Sequence, residues 1–458
     1  MAPETKLPHV VVVGCGFGGL EAVRVLARSG AVEITLVDRT NHHLFQPLLY
    51  QVATAGLSAP AISAPIRHLL RHEMQGGRLT VLQADVAAVD IAAAEVVLDR
   101  GARLRYEHLI VAAGATHSYF GHDDWAVHAP GLKTLADAFD IRARLIGAFE
   151  RAERAQSVGD DAERAACMSF VVIGAGPTGV ELAGTLVEIA HHTLPDEFRH
   201  IDSRQARVLL VEGADRVLGA FDPRLSASAR RQLEKLGVEV LTGCRVTGID
   251  ADGVQLATAN GITQLQSRTV LWAAGIAASP LGQSLAQAAG VVLDRAGRVP
   301  VLADLSLAGH PNISVVGDLA AAVDASSGKP VPGVSPAAKQ MGRRAAANVL
   351  ARVKGQRTAG FVYADYGTLA TIGRNAAVVQ IEVPLLGQIR FAGYAAWLFW
   401  LFAHIYFLIG FRNRLVVLID WAWSYLSFAR HARVVAEPVR AVRHHHDHHP
   451  APSVERQT

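Results

Sequence analysis

Two glycine-rich sequences, each preceded by an apolar run, constrain the fold of this chain more than any other feature. The first consists of four valines, residues 10–13, followed by a G-x-G-x-x-G fingerprint. The pattern predicts a buried strand, a tight turn and a helix. Gly14 permits the turn, Gly16 lets backbone N–H groups approach a pyrophosphate, and Gly19 lets the helix pack closely on the strand. A dinucleotide-binding module is therefore predicted at this end of the chain.

The same pattern returns in residues 170–181, where an apolar run again leads into G-x-G-x-x-G. The two fingerprints start at Gly14 and Gly174, and each is followed by an Ala-Ala-Gly sequence, ending at Gly114 and Gly275. The two segments from fingerprint to Ala-Ala-Gly have nearly the same length. This similarity indicates an internal repeat of a dinucleotide-binding fold. Two such modules are best explained if one holds FAD and the other a nicotinamide dinucleotide.

An acidic residue ends the second predicted strand of each module. Asp38 follows Gly14 at close to the roughly 20 residues expected of a carboxylate that accepts hydrogen bonds from a ribose. Glu212 lies farther from its fingerprint, which an insertion around residues 191–204 would explain. A carboxylate there repels a 2′-phosphate and favours NADH over NADPH, although Arg216 weakens that preference slightly.

Length, charge and cysteine content exclude several classes. A chain of 458 residues is expected to form two or three domains. The net charge of +3 makes nucleic acid an improbable partner. The three cysteines are far apart and form no C-x-x-C, which argues against structural disulfides and a cysteine-ligated zinc. The first predicted strand begins by Val10 and leaves no room for a secretory signal, so this half is expected to face the cytoplasm.

Residues 41–53 have neither helical nor strand periodicity and are interpreted as a loop with a chemical role. The segment lacks the redox cysteine pair of a disulfide reductase. His42 and His43 have no third ligand nearby in sequence, so polar contacts are favoured over a metal site. Further strands are predicted within 78–89 and 104–114, a helix over 133–155, and a domain boundary at 156–164.

Beyond the second module, residues 313–318 form a short apolar strand that ends in Gly-Asp. We expect this strand to return the chain to the first module, where Asp318 would accept from ribitol hydroxyls; an ordinary strand-end turn is the alternative. Ser335 opens a helix that is predicted to reach Val353. Its N-terminal dipole would stabilise a reduced, anionic flavin.

Residues 391–411 contain no charged side chain and, as one helix, would be about 31 Å long, enough to cross a bilayer. Their aromatic residues lie in the middle rather than at the ends, and basic residues follow. Residues 415–429 are apolar but short for a span. This pattern favours interfacial helices over a transmembrane span, with a buried core or dimer helix as a further alternative. The Pro- and His-rich residues 434–458 are predicted to be disordered, and their histidines to bind metal at most adventitiously.

The chain resembles the type II, non-proton-pumping NADH:quinone dehydrogenases. The resemblance covers residues 8–433 and rests on VVVVGCGFGGLEA, NHHLFQPLLYQVA, VVIGAGPTGVELAG, SVVGDLA and HIYFLIGFRNRLVVLIDWAWSYLSF. It implies an α/β fold of two Rossmann-like dinucleotide-binding domains, the second inserted in the first, plus C-terminal membrane-anchoring helices. The implied FAD-binding domain comprises residues 1–165 and 286–355, and the implied NADH-binding domain comprises residues 166–285. A membrane-anchoring region over residues 356–433 and a disordered tail over residues 434–458 follow.

The resemblance also implies FAD and NADH as cofactors and ubiquinone or menaquinone as the acceptor. It implies a monotopic homodimer on the cytoplasmic face of the bacterial inner membrane, in contact with lipid through residues 391–430. Glu181 matches a carboxylate used for proton handling, although by spacing alone it is an ordinary first-turn helix acid. Gln340 is the expected polar quinone anchor, but Ser335-Pro336 replaces the usual Ala-Gln before it. The predicted cofactor contacts are Gly14, Cys15, Gly16, Phe17, Gly18, Gly19, Asp38, Arg39, Val86, Ala113, Gly114, Asp318 and Lys339 for FAD, and Gly174, Ala175, Gly176, Pro177, Thr178, Gly179, Glu212 and Gly275 for NADH.

The sequence disfavours two rival functions. A sulfide:quinone reductase would share the fold and the tail, but it needs cysteines close to the flavin. Cys15 lies inside the phosphate turn, and Cys167 and Cys244 lie away from the predicted cofactor strands. A non-catalytic dinucleotide-binding membrane protein is the second rival, which the two complete fingerprints disfavour.

Overall fold

The computed structural model describes residues 6–259, 261–383, 387–430 and 432–435. Apart from residues 434 and 435, the predicted His-rich tail lies outside the described residues.

The first sheet is built around the strand His9–Val13, whose four valines are at most 5 % exposed. It runs parallel to neighbours on both sides, which explains a wholly apolar strand because both faces of the sheet are covered. Two strands of this sheet follow the second sheet in the chain, so the first sheet takes strands from both sides of it in sequence. In spatial order its strands are Ser306–Leu307, His310–Val315, His108–Val111, His9–Val13, Glu33–Asp38 and Leu79–Gln83.

The second sheet repeats this arrangement around Ser169–Ile173, which pairs in parallel with the strand before Glu212 and the strand before Ala-Ala-Gly. In each sheet the fingerprint strand thus lies between the acid strand and the Ala-Ala-Gly strand. The order of the second sheet is Val238–Leu241, Arg207–Val211, Ser169–Ile173 and Thr269–Trp272.

Smaller antiparallel sheets and strand pairs complete the β structure. Ala115–His117 pairs with Ile276–Ala278 where the chain passes between the units of the two large sheets. The other pairs are His42–Leu44 with Ser63–Pro65 and, in parallel, Val299–Pro300 with Ala320–Ala321. The three-stranded sheets are Val86–Asp90, Glu95–Leu98 and Arg103–Arg105; Arg245–Ile249, Gly253–Thr258 and Gly261–Gln266; and Thr368–Gly373, Ala376–Val383 and Gly387–Ala392.

The helices cover the two large sheets and form the C-terminal region. They are Phe17–Ser29, Leu49–Ala53, Ala59–Ile62, Ile66–Leu69, Arg71–Met74, Leu135–Ser157, Asp161–Cys167, Pro177–Glu188, Pro223–Leu236, Leu281–Ala289, Ser335–Val353, Tyr394–Phe407 and Phe411–Ser427. Single 3₁₀ turns occur at Gln46–Leu48, Asp123–Val127, Ser203–Gln205 and Gly317–Leu319, and Ile189–Thr193 forms a π-helical turn.

Three segments singled out in the sequence have the following structures. Residues 41–53 are not a loop: they form a strand, a 3₁₀ turn and a short helix, with Phe45 and Leu48 at most 2 % exposed. The polar stretch 156–164, predicted as a domain boundary, contains the end of Leu135–Ser157 and the start of Asp161–Cys167, which Asp160 caps. Residues 391–411 do not form one helix, because Gly393 and Gly410 adopt positive φ angles of 80° and 86° at the ends of a shorter one. Within the described residues, no helix has the length and apolar character needed to span a membrane.

Candidate active site

The first fingerprint forms a turn that packs tightly against backbone atoms on one side and is open on the other. A Cβ at Gly14 would lie 2.4 Å from the carbonyl oxygen of Ala112, and one at Gly19 would lie 1.8 Å from that of Gly14. Gly14 also has a φ of +93°, which side chains disfavour. A Cβ at Gly16 would meet no atom within 4 Å. The space before the helix N-terminus therefore fits a pyrophosphate.

The second fingerprint has the same geometry. A Cβ at Gly174 would lie 2.5 Å from the Cα of Ala274, and one at Gly179 would lie 1.8 Å from the carbonyl oxygen of Gly174. A Cβ at Gly176 would again meet no atom within 4 Å. Pro177 and Thr178 begin the helix Pro177–Glu188, with proline at a position that needs no N–H donor. This turn therefore fits a second dinucleotide.

Each acid accepts a hydrogen bond from a backbone N–H of its own turn, a contact that the sequence did not predict. Asp38 Oδ2 accepts a hydrogen bond from the backbone N–H of Cys15 at 2.6 Å, and Glu212 Oε2 accepts one from Ala175 at 2.7 Å. The other oxygens accept from the N–H groups of Thr40 and Ala214 at 2.7 and 2.8 Å. Carboxylate oxygens have further lone pairs, so these bonds leave acceptor capacity for a ribose.

Cys15 and His43 lie buried behind the first turn. Burial raises the pKa of the Cys15 thiol, and the negative charge of Asp38 raises it further. The thiol is therefore protonated and unreactive. His43 Nδ1 lies 2.7 Å from the carbonyl oxygen of Cys15, and burial lowers the pKa of His43 to about 4. Within the part of the chain that the structure describes, no cluster of His, Cys, Asp and Glu side chains is arranged to hold a metal ion.

The remaining residues predicted for FAD meet around the first turn, at the carboxyl ends of the first sheet. Ala113 and Gly114 follow the strand His108–Val111, and Asp318 lies in the 3₁₀ turn after His310–Val315. Helix Ser335–Val353 begins as predicted and packs so closely that a Cβ at Gly342 would lie 2.0 Å from the carbonyl oxygen of Gly18. Lys339 Nζ lies 5.2 Å from the Phe17 ring centroid and 5.4 Å from that of Phe407.

The other predicted contacts lie at the edges of the two sites. Arg39 directly follows Asp38, and its carbonyl oxygen accepts from Gln83 Nε2 at 3.4 Å. Val86 begins the neighbouring antiparallel strand. At the second site, Gly275 follows the strand Thr269–Trp272, and a Cβ there would lie 2.6 Å from the carbonyl oxygen of Ser118. The peptide at Gly275 is therefore held against the linker between the two units.

Glu181 is enclosed, unlike an ordinary first-turn helix acid. Its side chain belongs to helix Pro177–Glu188 and is buried. Burial raises the pKa of Glu181 well above its usual range, and interactions with the Thr371 backbone and the Trp400 indole offset this only in part. Burial therefore favours the protonated form of this carboxyl.

Both polar atoms of Gln340 are already bonded. Its Nε2 donates to the carbonyl oxygen of Ala364 at 2.9 Å, and its Oε1 accepts from the Ala364 N–H at 2.9 Å. Gln340 thereby fastens the segment around Ala364 to helix Ser335–Val353. The amide keeps a second N–H donor and a second acceptor lone pair, and its role as a quinone anchor stays a prediction.

A hydrogen-bonded chain links the C-terminal helices to the interior, and sequence reasoning did not identify it. Trp421 Nε1 donates to Gln51 Oε1 at 2.7 Å, and Gln51 Nε2 donates to the hydroxyl of Tyr50 at 2.9 Å. Burial raises the pKa of Tyr50 well above its usual range. The available signal was a Tyr-Gln pair inside an apolar segment.

Two family models and several known proteins are similar to this chain. Residues 8–342 match the family model for pyridine nucleotide-disulphide oxidoreductases, and residues 366–431 match the NDH2 C-terminal domain. A type II NADH:quinone oxidoreductase of Mycobacterium tuberculosis is 44% identical over 94% of this chain and 90% of its own length. The chain belongs to the type II NADH:quinone oxidoreductase family. NDH2 of Plasmodium falciparum, solved with NADH, shares the fold with a TM-score of 0.81 and 19% identity, covering 94% of this chain and all of that one.

Membership of the type II family agrees with the positions of the cysteines. The sulfide:quinone oxidoreductase of Aquifex aeolicus also shares the fold, with a TM-score of 0.68 and 17% identity over 91% of this chain and 95% of that one. Cys15 is enclosed behind its turn, Cys167 ends the helix before the second sheet, and Cys244 donates to the carbonyl oxygen of Thr242. These positions do not form the pair of adjacent thiols that would carry polysulfide.

Proposed function

We propose that this chain oxidises NADH at the turn of residues 174–179 and reduces a membrane quinone next to the turn of residues 14–19, where FAD binds. The observation that carries this proposal is the difference between two otherwise matched turns. Only the first is flanked by helix Ser335–Val353, and Lys339 of that helix reaches Phe407 of the C-terminal helices. An apolar electron acceptor approaching from those helices would meet the first site. The predicted domains correspond to this assignment, with FAD in residues 1–165 and 286–355 and NADH in residues 166–285.

FAD, when bound, supplies a two-electron carrier between nicotinamide and quinone. The residues of this chain bind and orient the three molecules. Backbone N–H groups at Gly16 and Gly176 would bind the pyrophosphates, and Asp38 and Glu212, which hold the turns, would accept from the riboses. The protonated carboxyl of Glu181 holds a proton that the quinone needs on reduction.

Two steps of purified holoenzyme chemistry test this function. NADH is expected to bleach the flavin absorbance, and addition of short-chain ubiquinone or menaquinone is expected to restore it. The same pair of quinones identifies the preferred acceptor. A non-catalytic dinucleotide-binding protein would not be bleached by NADH. A protein that is bleached but not reoxidised by either quinone would disprove quinone reduction.

We expect Glu212→Gln to weaken the preference for NADH over NADPH. An amide accepts hydrogen bonds through one oxygen only, so it cannot hold both Ala175 and Ala214, and it no longer repels a 2′-phosphate. Loss of a charge-assisted bond is expected to raise the KM for NADH roughly tenfold. Steady-state kinetics with both nucleotides measure the change. Glu239→Gln on the same sheet is the control, and an unchanged NADPH to NADH ratio would contradict the assignment.

We further propose peripheral attachment to the cytoplasmic face of the membrane, as a homodimer, through residues 391–430. Large apolar side chains are exposed along both C-terminal helices, and on the first they recur every fourth residue, as on one helical face. Such a surface suits helices lying in the lipid interface. This apolar surface consists of Tyr394, Leu398, Phe402, Tyr406, Phe411, Leu415, Leu418, Ile419, Trp423 and Leu426.

The double variant Phe402→Ser/Phe411→Ser is expected to weaken vesicle binding without lowering Tm. These rings are 68% and 82% exposed, so their removal costs the fold little. Each lost ring is expected to reduce partition into anionic vesicles roughly tenfold. Co-sedimentation measures partition, and Ile262→Ser, at a position 75% exposed on another sheet, is the control. Equal binding of the double variant and the control would disprove this surface as the anchor. Gel filtration in detergent tests the homodimer.

A further inference from the structure

One face of helix Pro177–Glu188 carries two acids, only one of which is paired with a cation. Glu181 and Glu188 are two helical turns apart and therefore share a face. Helix Leu49–Ala53, which carries the buried Tyr50, packs against this helix. Glu181 is faced by the Thr371 backbone and the Trp400 indole. Glu188 instead lies in an ion pair.

The ion pair joins Glu188 to Arg430, which follows the last C-terminal helix. Arg430 Nη2 lies 3.1 Å from Glu188 Oε2, and both side chains are largely buried. Arg430 Nη1 also donates to the carbonyl oxygen of Thr54 at 3.2 Å, at the end of the Tyr50 helix. The other carboxylate oxygen, Glu188 Oε1, accepts from the Arg374 N–H at 2.5 Å.

Two glycines make room for this pair. A Cβ at Gly56 would lie 2.9 Å from Arg430 Nη1, and a Cβ at Gly373 would lie 3.1 Å from Glu188 Oε1. The segment around Arg430 is also held at Phe428, whose carbonyl oxygen accepts from Thr193 Oγ1 at 3.2 Å. The backbone around the pair therefore leaves little freedom for either side chain to move away.

We propose that Arg430 is a positioning residue for quinone reduction, which neutralises Glu188 and thereby leaves Glu181 as the carboxyl on this face that holds and releases a proton. This inference rests on the proposed function. NADH, one proton and quinone give NAD⁺ and quinol: the hydride supplies two electrons and one proton, and the second proton comes from solvent. Glu181 gives its O–H proton to a quinone oxygen and regains one from solvent, so its own charge is restored each turnover.

The charged and titratable groups around Glu181 come from five segments of the chain. Tyr50 lies on the helix Leu49–Ala53 and Glu188 on its own helix, while Arg374 and Arg430 contact Glu188. His404 stacks on Trp400 with ring centroids 4.0 Å apart, and burial lowers the pKa of His404 to about 4, so it is neutral. Glu188, Arg374 and Arg430 form the ion pair and its neighbouring cation among these groups. Removal of one of them changes the field at Glu181.

The test is the pH dependence of quinone reoxidation of the NADH-reduced holoenzyme. The rate is expected to fall as pH rises through the pKa of Glu181, because the proton donor is lost. This fall forms the alkaline limb of the pH profile. Arg430→Gln leaves the charge of Glu188 uncompensated and is expected to move this limb to higher pH. Glu188→Gln leaves Arg430 uncompensated and is expected to move it to lower pH. Each shift is expected to be about half to one pH unit for charges two helical turns apart.

The double variant Arg430→Gln/Glu188→Gln carries neither charge and is expected to return the limb to the wild-type position. A merely structural role would not produce opposite shifts that cancel. Arg352→Gln, which removes the cation of another buried pair with Asp304, is the control and is expected to lower Tm without moving the limb. Flavin bleaching by NADH is expected to be unchanged in the Arg430 and Glu188 variants.

An unmoved limb in Glu188→Gln, or a double variant that stays shifted, would overturn the inference. If Arg430→Gln fails to fold, the Glu188→Gln shift and its absence in the double variant still decide the question. Failure of the proposed function looks different, because wild-type enzyme would then not be reoxidised by quinone at any pH.

Discussion

Alanine at the middle glycine of each fingerprint is expected to separate the two binding sites. Gly176→Ala should give a yellow protein that NADH bleaches poorly, whereas Gly16→Ala should purify with little flavin. Neither substitution meets a protein atom within 4 Å, so both variants should fold. The added methyl group occupies the space through which backbone N–H groups reach a pyrophosphate. Loss of such charge-assisted bonds is expected to weaken each ligand roughly 10²-fold.

Flavin content per chain and the KM for NADH in flavin reduction measure the two effects. Gly19→Ala is a useful contrast, because its Cβ would lie 1.8 Å from a backbone carbonyl oxygen and should lower Tm as well. If Gly16→Ala retained flavin but lost NADH, and Gly176→Ala did the reverse, the assignment of FAD to the first site would be wrong. Unchanged affinities in both variants would contradict the phosphate role of the turns.

Glu181→Gln is expected to slow flavin reoxidation by quinone roughly 10²-fold, the size of a lost general acid. Glutamine keeps the size of the buried side chain but has no carboxyl proton to give. Reduction by NADH should change little, since hydride transfer needs no proton from this group. Stopped-flow measurement of the two half-reactions separates the effects, with the surface variant Glu234→Gln as control. Equal slowing of both half-reactions would indicate that Glu181 serves the fold rather than proton transfer.

Sequence alone predicted the elements whose signals are local. The fingerprint strands and turns, and helix Ser335–Val353 to the residue, follow from apolar runs, glycines and proline. Residues 41–53 were misread because their regular structure depends on burial against distant helices, not on their own periodicity. The helix considered for residues 391–411 is shorter in the structure, because Gly393 and Gly410 adopt positive φ angles at its ends.

At the candidate site, sequence identified chemical groups but not their partners. Asp38 and Glu212 were predicted as ribose acceptors, yet their bonds to the turns depend on how strands align. The bonds of Gln340 to Ala364 depend on a loop beyond its own helix. Arg430 and Glu188 are 242 residues apart, and nothing in either local sequence indicates that they meet. Such contacts follow from tertiary packing, which a single sequence does not encode in any short pattern.

The hydrogen bond between each acid and its own turn affects the free-energy cost of binding a dinucleotide there. The backbone N–H groups of Cys15 and Ala175 donate to Asp38 and Glu212, so contacts within the protein hold both turns in place. Binding therefore costs little conformational entropy in these turns. NADH must bind and leave in every turnover while FAD stays, so two turns of matching geometry bind a transient and a resident ligand. The difference in residence time must then arise from contacts made beyond the pyrophosphate.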